Sequence, residues 1–451
     1  MKRVFIRTFG CQANFYDSSR IEDMFVANGF GIVDDIQSAD VFIMNTCHVR
    51  RKAGEKVFSE LGRIQEIKDL KIKEGKYLAV VITGCVAKAE GKDIFRRVPA
   101  VDAVVSPENQ HKIIVIVDKI FRKFEQGESE TILAIENLAK ENKFALLPPR
   151  GKTSGVSEML VVQDGCDKFC SYCTVPFTRG REYSRPFGEV LREANHLVEC
   201  GAREITLLGQ NIDSYCGLNR HGVRTSLGDL ILAINDINGI ERIRYLTSYP
   251  SQFGDDMIRI HRDLPKLMPL VYIPIQSGSN NVLRSMNRKY TREQYLELIQ
   301  KIRESSGKIE FSSDFIVGFP GETEADFEAT LDLVEKVGYA LAFSFKYSPR
   351  PNTVATRMAN HIPEEEKTKR LEKLQAILNR QRLDFNGKFV GKVVDVLVEN
   401  ALRSDEKFFG KTPYSQPVVF SAESPPENGN VLKVKIDDAT IRTLRGKLWE
   451  G

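Results

Sequence analysis

MLVVQDGCDKFCSYCTVP, residues 159–176, decides the reading of this chain. A short apolar run ends at a glycine, the pattern of a buried strand with a turn after it. Behind it come Cys166, Cys170 and Cys173 in the spacing C-x3-C-x2-C. A structural zinc site, the alternative reading, wants a second C-x2-C or a pair of histidines close by. None follows, and the nearest histidine, His196, falls in a predicted helix. Three thiolates on a 4Fe-4S cube leave one iron open, and an open iron takes a small chelating molecule.

Working outward, residues 155–350 carry six apolar strand candidates: MLVVQ, EITLLG, RIRYLTS, LVYIPIQ, IEFSSDFIVG and LAFSFKYS. Helical patterns separate most of them. Six βα units make a barrel incomplete against the usual eight, and the cysteine triplet then sits at its carboxyl-end mouth, where barrel active sites are built. Residues 364–386, charged and amphipathic, read as a connecting helix.

Residues 1–140 alternate strand and helix signals, which predicts a parallel, doubly wound sheet. RVFIRTF, DVFIMN and YLAVVIT are the strands. Asp17 is the expected N-cap of the first helix, with Ile21, Met24 and Phe25 on its apolar face and Gly29 at its C-terminus. Ala53, Val57, Phe58, Leu61 and Ile64 recur at helical spacing in the second. Cys11, Cys47 and Cys85 each close an apolar run. In a parallel sheet such run ends share one edge, so three distant thiols become neighbours. For any one of them the alternative is a buried core cysteine. Cys200 is expected in the core, and Cys216 in a loop near the barrel mouth. Residues 141–158, with two prolines and two glycines, read as a linker. Residues 385–451 are β-rich between turns, which suggests a small antiparallel barrel of a kind that often binds nucleic acid; bracing the enzyme is the alternative.

Composition sets the outer bounds. At 451 residues, 42% hydrophobic and 28% charged, the chain reads as soluble, globular and multi-domain. No run approaches the ~18 apolar residues of a membrane span. Arg7 and Gly10 interrupt the opening residues too early for a signal peptide. Eight cysteines are too few for a disulfide scaffold at this length and point to reduced thiols used as ligands, hence a cytoplasmic protein. A net charge of +4 permits an anionic partner without demanding one.

The motifs TFGCQANFYDS, NTCHVR, TGCVAK, GCDKFCSYCTVPFTRGREYSRP, LLGQN and SSDFIVGFPGET, with the β-rich tail, resemble the radical S-adenosylmethionine methylthiotransferases from end to end. The resemblance implies an auxiliary-cluster domain at 1–140, a radical core domain at 155–380 and a TRAM domain at 381–451. It implies two 4Fe-4S clusters, one on Cys11, Cys47 and Cys85 and the other on Cys166, Cys170 and Cys173. Two molecules of S-adenosyl-L-methionine serve each turnover: one methylates sulfur held on the auxiliary cluster, and the other yields a 5′-deoxyadenosyl radical. Gln210, Asn211, Ser248, Gln276, Asp314 and Gly318, at the barrel mouth, are then the cofactor-binding candidates, since amides and hydroxyls suit its ammonium, carboxylate and ribose. No catalytic residue beyond the cluster ligands is implied. Arg179, Arg181 and Arg185 flank the triplet and are candidates for phosphate, for the cluster's field or for solvent.

Within the family, Gly-Cys-Gln-x-Asn and FTRGREYSRP are similar to the branch that places a methylthio group on C2 of N6-dimethylallyladenosine beside the tRNA anticodon. Ala13 stands where that branch commonly has methionine. The alternatives are threonylcarbamoyladenosine in tRNA or a ribosomal-protein side chain. Implied partners are the tRNA anticodon stem-loop, an electron donor such as flavodoxin or ferredoxin, and a sulfur or cluster carrier, with no membrane.

Overall fold

The computed structural model describes residues 1–47, 51–136, 140–151, 155–402 and 407–450; in the helices that open at 51 and 140, side chains are described from 60 and from 143. His48, Val49 and Arg50 of NTCHVR, the side chains of Ala53, Val57 and Phe58, and residues 152–154 of the expected linker lie outside the described residues.

The first region runs β1 (Arg3–Thr8), α1 (Gln12–Ala27), β2 (Gly31–Ile32), β3 (Val41–Thr46), α2 (Arg51–Lys73), β4 (Ala79–Gly84), α3 (Cys85–Glu90), α4 (Asp93–Arg97), β5 (Ala103–Val105), α5 (Ile113–Glu125) and β6 (Ile132–Ala134). The strands form one sheet in the order β2-β1-β3-β4-β5-β6, every pairing parallel. β3 and β4 are buried along their whole length, as apolar runs covered on both faces must be. α1 and α5 pack on one face through Ile21, Met24, Phe25, Ile113 and Val117. Leu61, Ile64, Val86 and Ile94 pack on the other. The doubly wound expectation holds, and the order reverses between β1 and β3, where such sheets bind ligands.

Two local expectations fail. α1 starts at Gln12 with Cys11 at its N-cap, so Asp17 lies inside the helix, buried, and is satisfied by cations from elsewhere in the chain rather than by first-turn N–H groups. Gly29 does follow the helix at φ +78°, and Phe30 N–H reaches Phe25 O at 3.0 Å in a Schellman closure. The expected linker contains a helix, α6 (Lys140–Ala145), whose Lys143 and Phe144 are buried against the next domain.

The barrel runs β7 (Ser157–Val161), β8 (Gln163–Asp164), α7 (Val175–Thr178), β9 (Tyr183–Ser184), α8 (Phe187–Glu199), β10 (Glu204–Leu208), β11 (Gly217–Leu218), β12 (Arg224–Thr225), α9 (Leu227–Asn235), β13 (Arg242–Tyr245), α10 (Asp255–Asp263), β14 (Leu270–Tyr272), α11 (Asn280–Ser285), α12 (Arg292–Ser305), β15 (Glu310–Val317), α13 (Glu324–Val337) and β16 (Leu341–Lys346). Two parallel three-stranded sheets, β7-β10-β13 and β14-β15-β16, meet through a parallel bridge between Ile243 and Leu267. All six expected barrel strands are present in chain order. α14 (Glu364–Gly387) is more than a connector: Leu374 and Leu378 enter the barrel core, and Lys346 Nζ on β16 donates to its Thr368 Oγ1 at 3.2 Å.

The tail folds as a closed barrel of β17 (Val393–Ala401), β18 (Lys407–Lys411), β19 (Pro417–Ser421), β20 (Val431–Ala439) and β21 (Leu444–Leu448). Four of its pairings are antiparallel, while β19 and β21 run parallel. It docks at the amino ends of the large barrel's strands. Arg242 donates to Lys411 O at 2.7 Å, Arg244 to Pro413 O at 2.8 Å, and Ser157 Oγ to Glu399 Oε1 at 2.8 Å. The small barrel therefore closes the floor, opposite the cysteine mouth. Among the described residues no helix is long and apolar enough to cross a membrane.

Candidate functional site

Cys11 follows β1, Cys47 follows β3, and Cys85 follows β4 and opens α3. These strands are neighbours in the sheet, so the three thiols meet at one edge, beside the point where strand order reverses. The Gly-Cys pairs have a steric cause. Gly10, at φ +148°, lies so close to Cys47 that a Cβ would collide with the Cys47 Cβ. Gly84, at φ +90°, lies as close to Thr46 O. Asn14 and Asn45 bind the edge together: Asn14 Nδ2 donates to Thr46 O at 3.0 Å, and Asn45 Nδ2 returns to Asn14 O at 2.8 Å. The Cys11 thiol is pulled down to about 6 by its hydrogen bond with Cys47, and by the Arg179 charge, against burial. Burial pushes the Cys85 thiol up, opposed by Arg179 and Thr178. Among the described residues no three such side chains converge tightly enough to hold a single metal ion. A four-iron cube, by contrast, takes each thiolate on a different iron.

The second triad is set by a loop. Phe169, between the first two cysteines, takes φ +48°, and Gly165 takes φ +82°. Cys166 N–H bonds Gly180 O at 3.2 Å, and Cys173 N–H bonds Cys170 O at 3.0 Å. Ser171 Oγ donates to Ser285 O at 2.7 Å, and Asn287 Nδ2 to Phe169 O at 2.9 Å. Burial raises Cys166 to about 11 and Cys173 to about 12, so ligation has to remove their protons. The guanidinium of Arg288 donates to Cys170 Sγ at 3.5 Å and lies 4.5 Å from the ring centre of Tyr249 and 5.0 Å from that of Tyr290. A fixed cation beside soft thiolates suits a negatively charged cluster.

The mouth residues share this end of the barrel. Gln210 Oε1 accepts from Gly165 N–H. Asn211 Nδ2 donates to Gln252 Oε1 at 2.9 Å, but its Oδ1, in a side chain only 1% exposed, has no hydrogen-bond partner among the described residues. That acceptor fits a ligand's ammonium or hydroxyl. Ser248 Oγ donates to Asp213 Oδ1 at 3.0 Å. Gln276, at φ +77°, bonds Asp314 O through its N–H at 3.0 Å, and Asp314 Oδ2 accepts from Tyr272. Gly318, at φ +71°, packs against the Lys367 side chain. The two triads also approach one another. α7, directly after Cys173, packs on α3, and the Arg179 charge that follows α7 pulls the Cys85 thiol down against burial.

Residues 160–334 match the Radical SAM superfamily, 3–106 the Uncharacterized protein family UPF0004, and 387–449 the TRAM domain. Over 450 residues the chain is 46% identical to the tRNA-2-methylthio-N(6)-dimethylallyladenosine synthase of Wolbachia sp. subsp. Brugia malayi (strain TRS), covering 99% of each. The chain belongs to this synthase family. Membership implies a 4Fe-4S cluster and S-adenosyl-L-methionine. Two solved structures share the fold alone. The radical S-adenosylmethionine methyltransferase TsrM from Kitasatospora setae aligns at a TM-score of 0.57 and 15% identity, over 79% of this chain and 75% of its own. The cobalamin-dependent S-adenosylmethionine radical enzyme OxsB aligns at 0.52 and 12%, over 84% and 56%.

Other expectations need correction. Arg179 and Arg185 are neither solvated nor free for phosphate: Arg179 pairs with Asp17 and Asp164, and Arg185 with Glu193 at 2.8 Å. Each side chain is buried and takes a counter-ion rather than water. Arg181 alone stays exposed. Cys200 is half-buried at the end of α8, 3.5 Å from His196 Nε2, because it caps the helix instead of pointing inward. Cys216 is exposed. Arg288 and Asp213 escaped the sequence reading. Asp213, whose carboxyl burial pushes up to about 7, stands three residues past Gln210, and its position in the mouth loop was a usable signal. Arg288 had none, since its contact with Cys170 spans 118 residues.

Proposed function

We propose that this chain transfers a methylthio group to C2 of N6-dimethylallyladenosine beside the anticodon of tRNA. The observation that carries the reading is the near full-length identity to a synthase named for that product, joined to two thiol triads that approach each other at α3 and α7. We assign residues 1–140 to the auxiliary-cluster domain, 155–380 to the radical core and 381–451 to the TRAM domain. Cys166, Cys170 and Cys173 hold the cluster that binds S-adenosyl-L-methionine, and Cys11, Cys47 and Cys85 hold a second 4Fe-4S cluster. When bound, these groups supply one-electron chemistry able to take hydrogen from an unactivated C–H bond, together with the sulfur to replace it.

The chain's own residues bind, orient and exclude water. Arg288 offsets the charge of the loop triad. Asn211 Oδ1 offers an unused acceptor to the cofactor, with Gln210, Ser248, Gln276, Asp314 and Gly318 around it. The reading assigns no side chain as a base for C2–H, a proton that ordinary bases do not remove. Because the small barrel sits at the floor, an RNA that touches it and also enters the mouth runs along the flank for the ~25 Å of a long barrel strand. An anticodon stem spans that length and leaves the loop base unstacked for the mouth. The reading also carries two S-adenosyl-L-methionine molecules per turnover, a flavodoxin- or ferredoxin-type donor, a sulfur or cluster carrier, and a cytoplasmic setting.

The test is anaerobic reconstitution followed by incubation with an anticodon stem-loop bearing N6-dimethylallyladenosine, then nucleoside mass analysis. The methylthio nucleoside is expected, with about eight irons per chain. Mass gain only on a peptide, or equal turnover of RNA lacking the dimethylallyl group, overturns the substrate assignment.

A further inference from the structure

Arg179 stands one residue past α7 at the junction of sheet domain and barrel. Its guanidinium donates to Asp17 Oδ2 at 2.5 Å on α1, and to Asp164 Oδ1 at 3.2 Å on β8. Lys143 Nζ from α6 lies 3.1 Å from Asp164 and 3.5 Å from Asp17. All four side chains are at most 3% exposed. Burying four charges costs desolvation that stability alone does not require, since apolar groups of similar volume often do as well. The quartet is neutral by itself. Arg179 stands between the two helices that open at the sheet-edge thiols: it follows α7, which packs on α3 where Cys85 begins, and it bonds Asp17 on α1, the helix that Cys11 caps, so that its charge pulls both thiols down.

We propose that Arg179 is a positioning residue of the auxiliary site: a cation aimed by Asp17 and Asp164 at Cys11, Cys47 and Cys85, which compensates their negative charge and sets the reduction potential of the cluster they hold. This rests on the two-cluster reading above. Two consequences of opposite sign follow. A nearby positive charge favours the reduced, more negative cluster, so removing it lowers the potential. Removing a carboxylate that offsets the same cation raises it.

The test is a redox titration followed by electron paramagnetic resonance on the reconstituted full chain, comparing wild type with Arg179→Gln, Arg179→Lys and Asp17→Asn. Iron is counted in each, and the Cys166–Cys170–Cys173 cluster is the internal reference. Arg179→Gln is expected to shift the auxiliary potential negative, Arg179→Lys less so, and Asp17→Asn positive, each by more than the reference cluster moves. Shifts of one sign in all variants, equal shifts at both clusters, or no shift overturn the proposal. Should Arg179→Gln fail to hold iron, Asp17→Asn decides: a positive shift supports the proposal, and a zero or negative one ends it. Wild-type protein carrying about four irons overturns the two-cluster reading instead, a different result from eight irons with unmoved potentials.

Discussion

The two thiol triads are assembled by opposite routes. Cys166, Cys170 and Cys173 fall within one loop, whose shape comes from Gly165, from Phe169 at positive φ, and from nearby hydrogen bonds. Cys11, Cys47 and Cys85 belong to three strands and meet only because β1, β3 and β4 lie side by side. A local triad tolerates loss of distant packing, whereas a triad built from a sheet is only as ordered as the sheet. Thiol chemistry differs too. Burial holds Cys166 and Cys173 as neutral thiols, while the Cys47 bond and the Arg179 charge pull Cys11 down to about 6. In the sheet triad Cys11 thus leans toward the thiolate, while burial holds Cys85 up.

The comparison breaks most visibly on single ligands. Cys170→Ala should abolish release of 5′-deoxyadenosine and all product, whereas Cys47→Ala should keep that release and lose only methylthio transfer. Both are read by chromatography of the nucleosides. Equal loss of cleavage in the two variants would mean that the triads do not divide the work.

The next effect is on packing. Ile43 is fully buried in β3, in register with Ile6 of β1 and Val81 of β4. Ile43→Ala should cost about 2–5 kcal/mol in urea unfolding. It should also strip iron from the sheet triad before the loop triad. Uniform loss of iron would show that the two sites share one fate.

Acid separates the domains more gently. His261 lies in the barrel core, held down to about 4 by burial, with its Nε2 2.7 Å from Tyr245 Oη. Its folded pKa is below the unfolded value, so the unfolded chain takes up the proton first. The stabilisation is therefore present above about pH 6.5 and is lost as pH falls through about 4, worth about 3 kcal/mol in total. Circular dichroism in urea at pH 7 and pH 5 should show the barrel weakening, and His261→Gln should flatten the slope.

The smallest effect sharpens the contrast. Asn287, at φ +58°, bonds the cysteine loop through Phe169 O, and Asn287→Ala should cost about 1 kcal/mol. Iron should then leave the loop triad faster under chelator, with the sheet triad unchanged.

Periodicity made most of the architecture legible. Continuous apolar runs gave away β3 and β4 as strands covered on both faces, and six further runs gave the barrel its strands. Misreadings clustered at the domain junction. Asp17 looked like a helix cap because Asp is a good cap and the apolar face begins soon after it. Its real partners, Arg179 and Lys143, lie 162 and 126 positions further along (179 − 17 and 143 − 17), beyond any local pattern. Lys143 was lost in a stretch that proline and glycine marked as a linker, and Arg288 in an unremarkable turn.

The residues alone determined which thiols are available and the strands that carry them, because spacing and periodicity are local properties of a chain. Only the tertiary structure decided which charges face those thiols. Arg179, Asp17, Asp164 and Lys143 meet across the domain junction and Arg288 reaches Cys170 within the barrel, and a buried ion must find its partner wherever the fold brings one within reach.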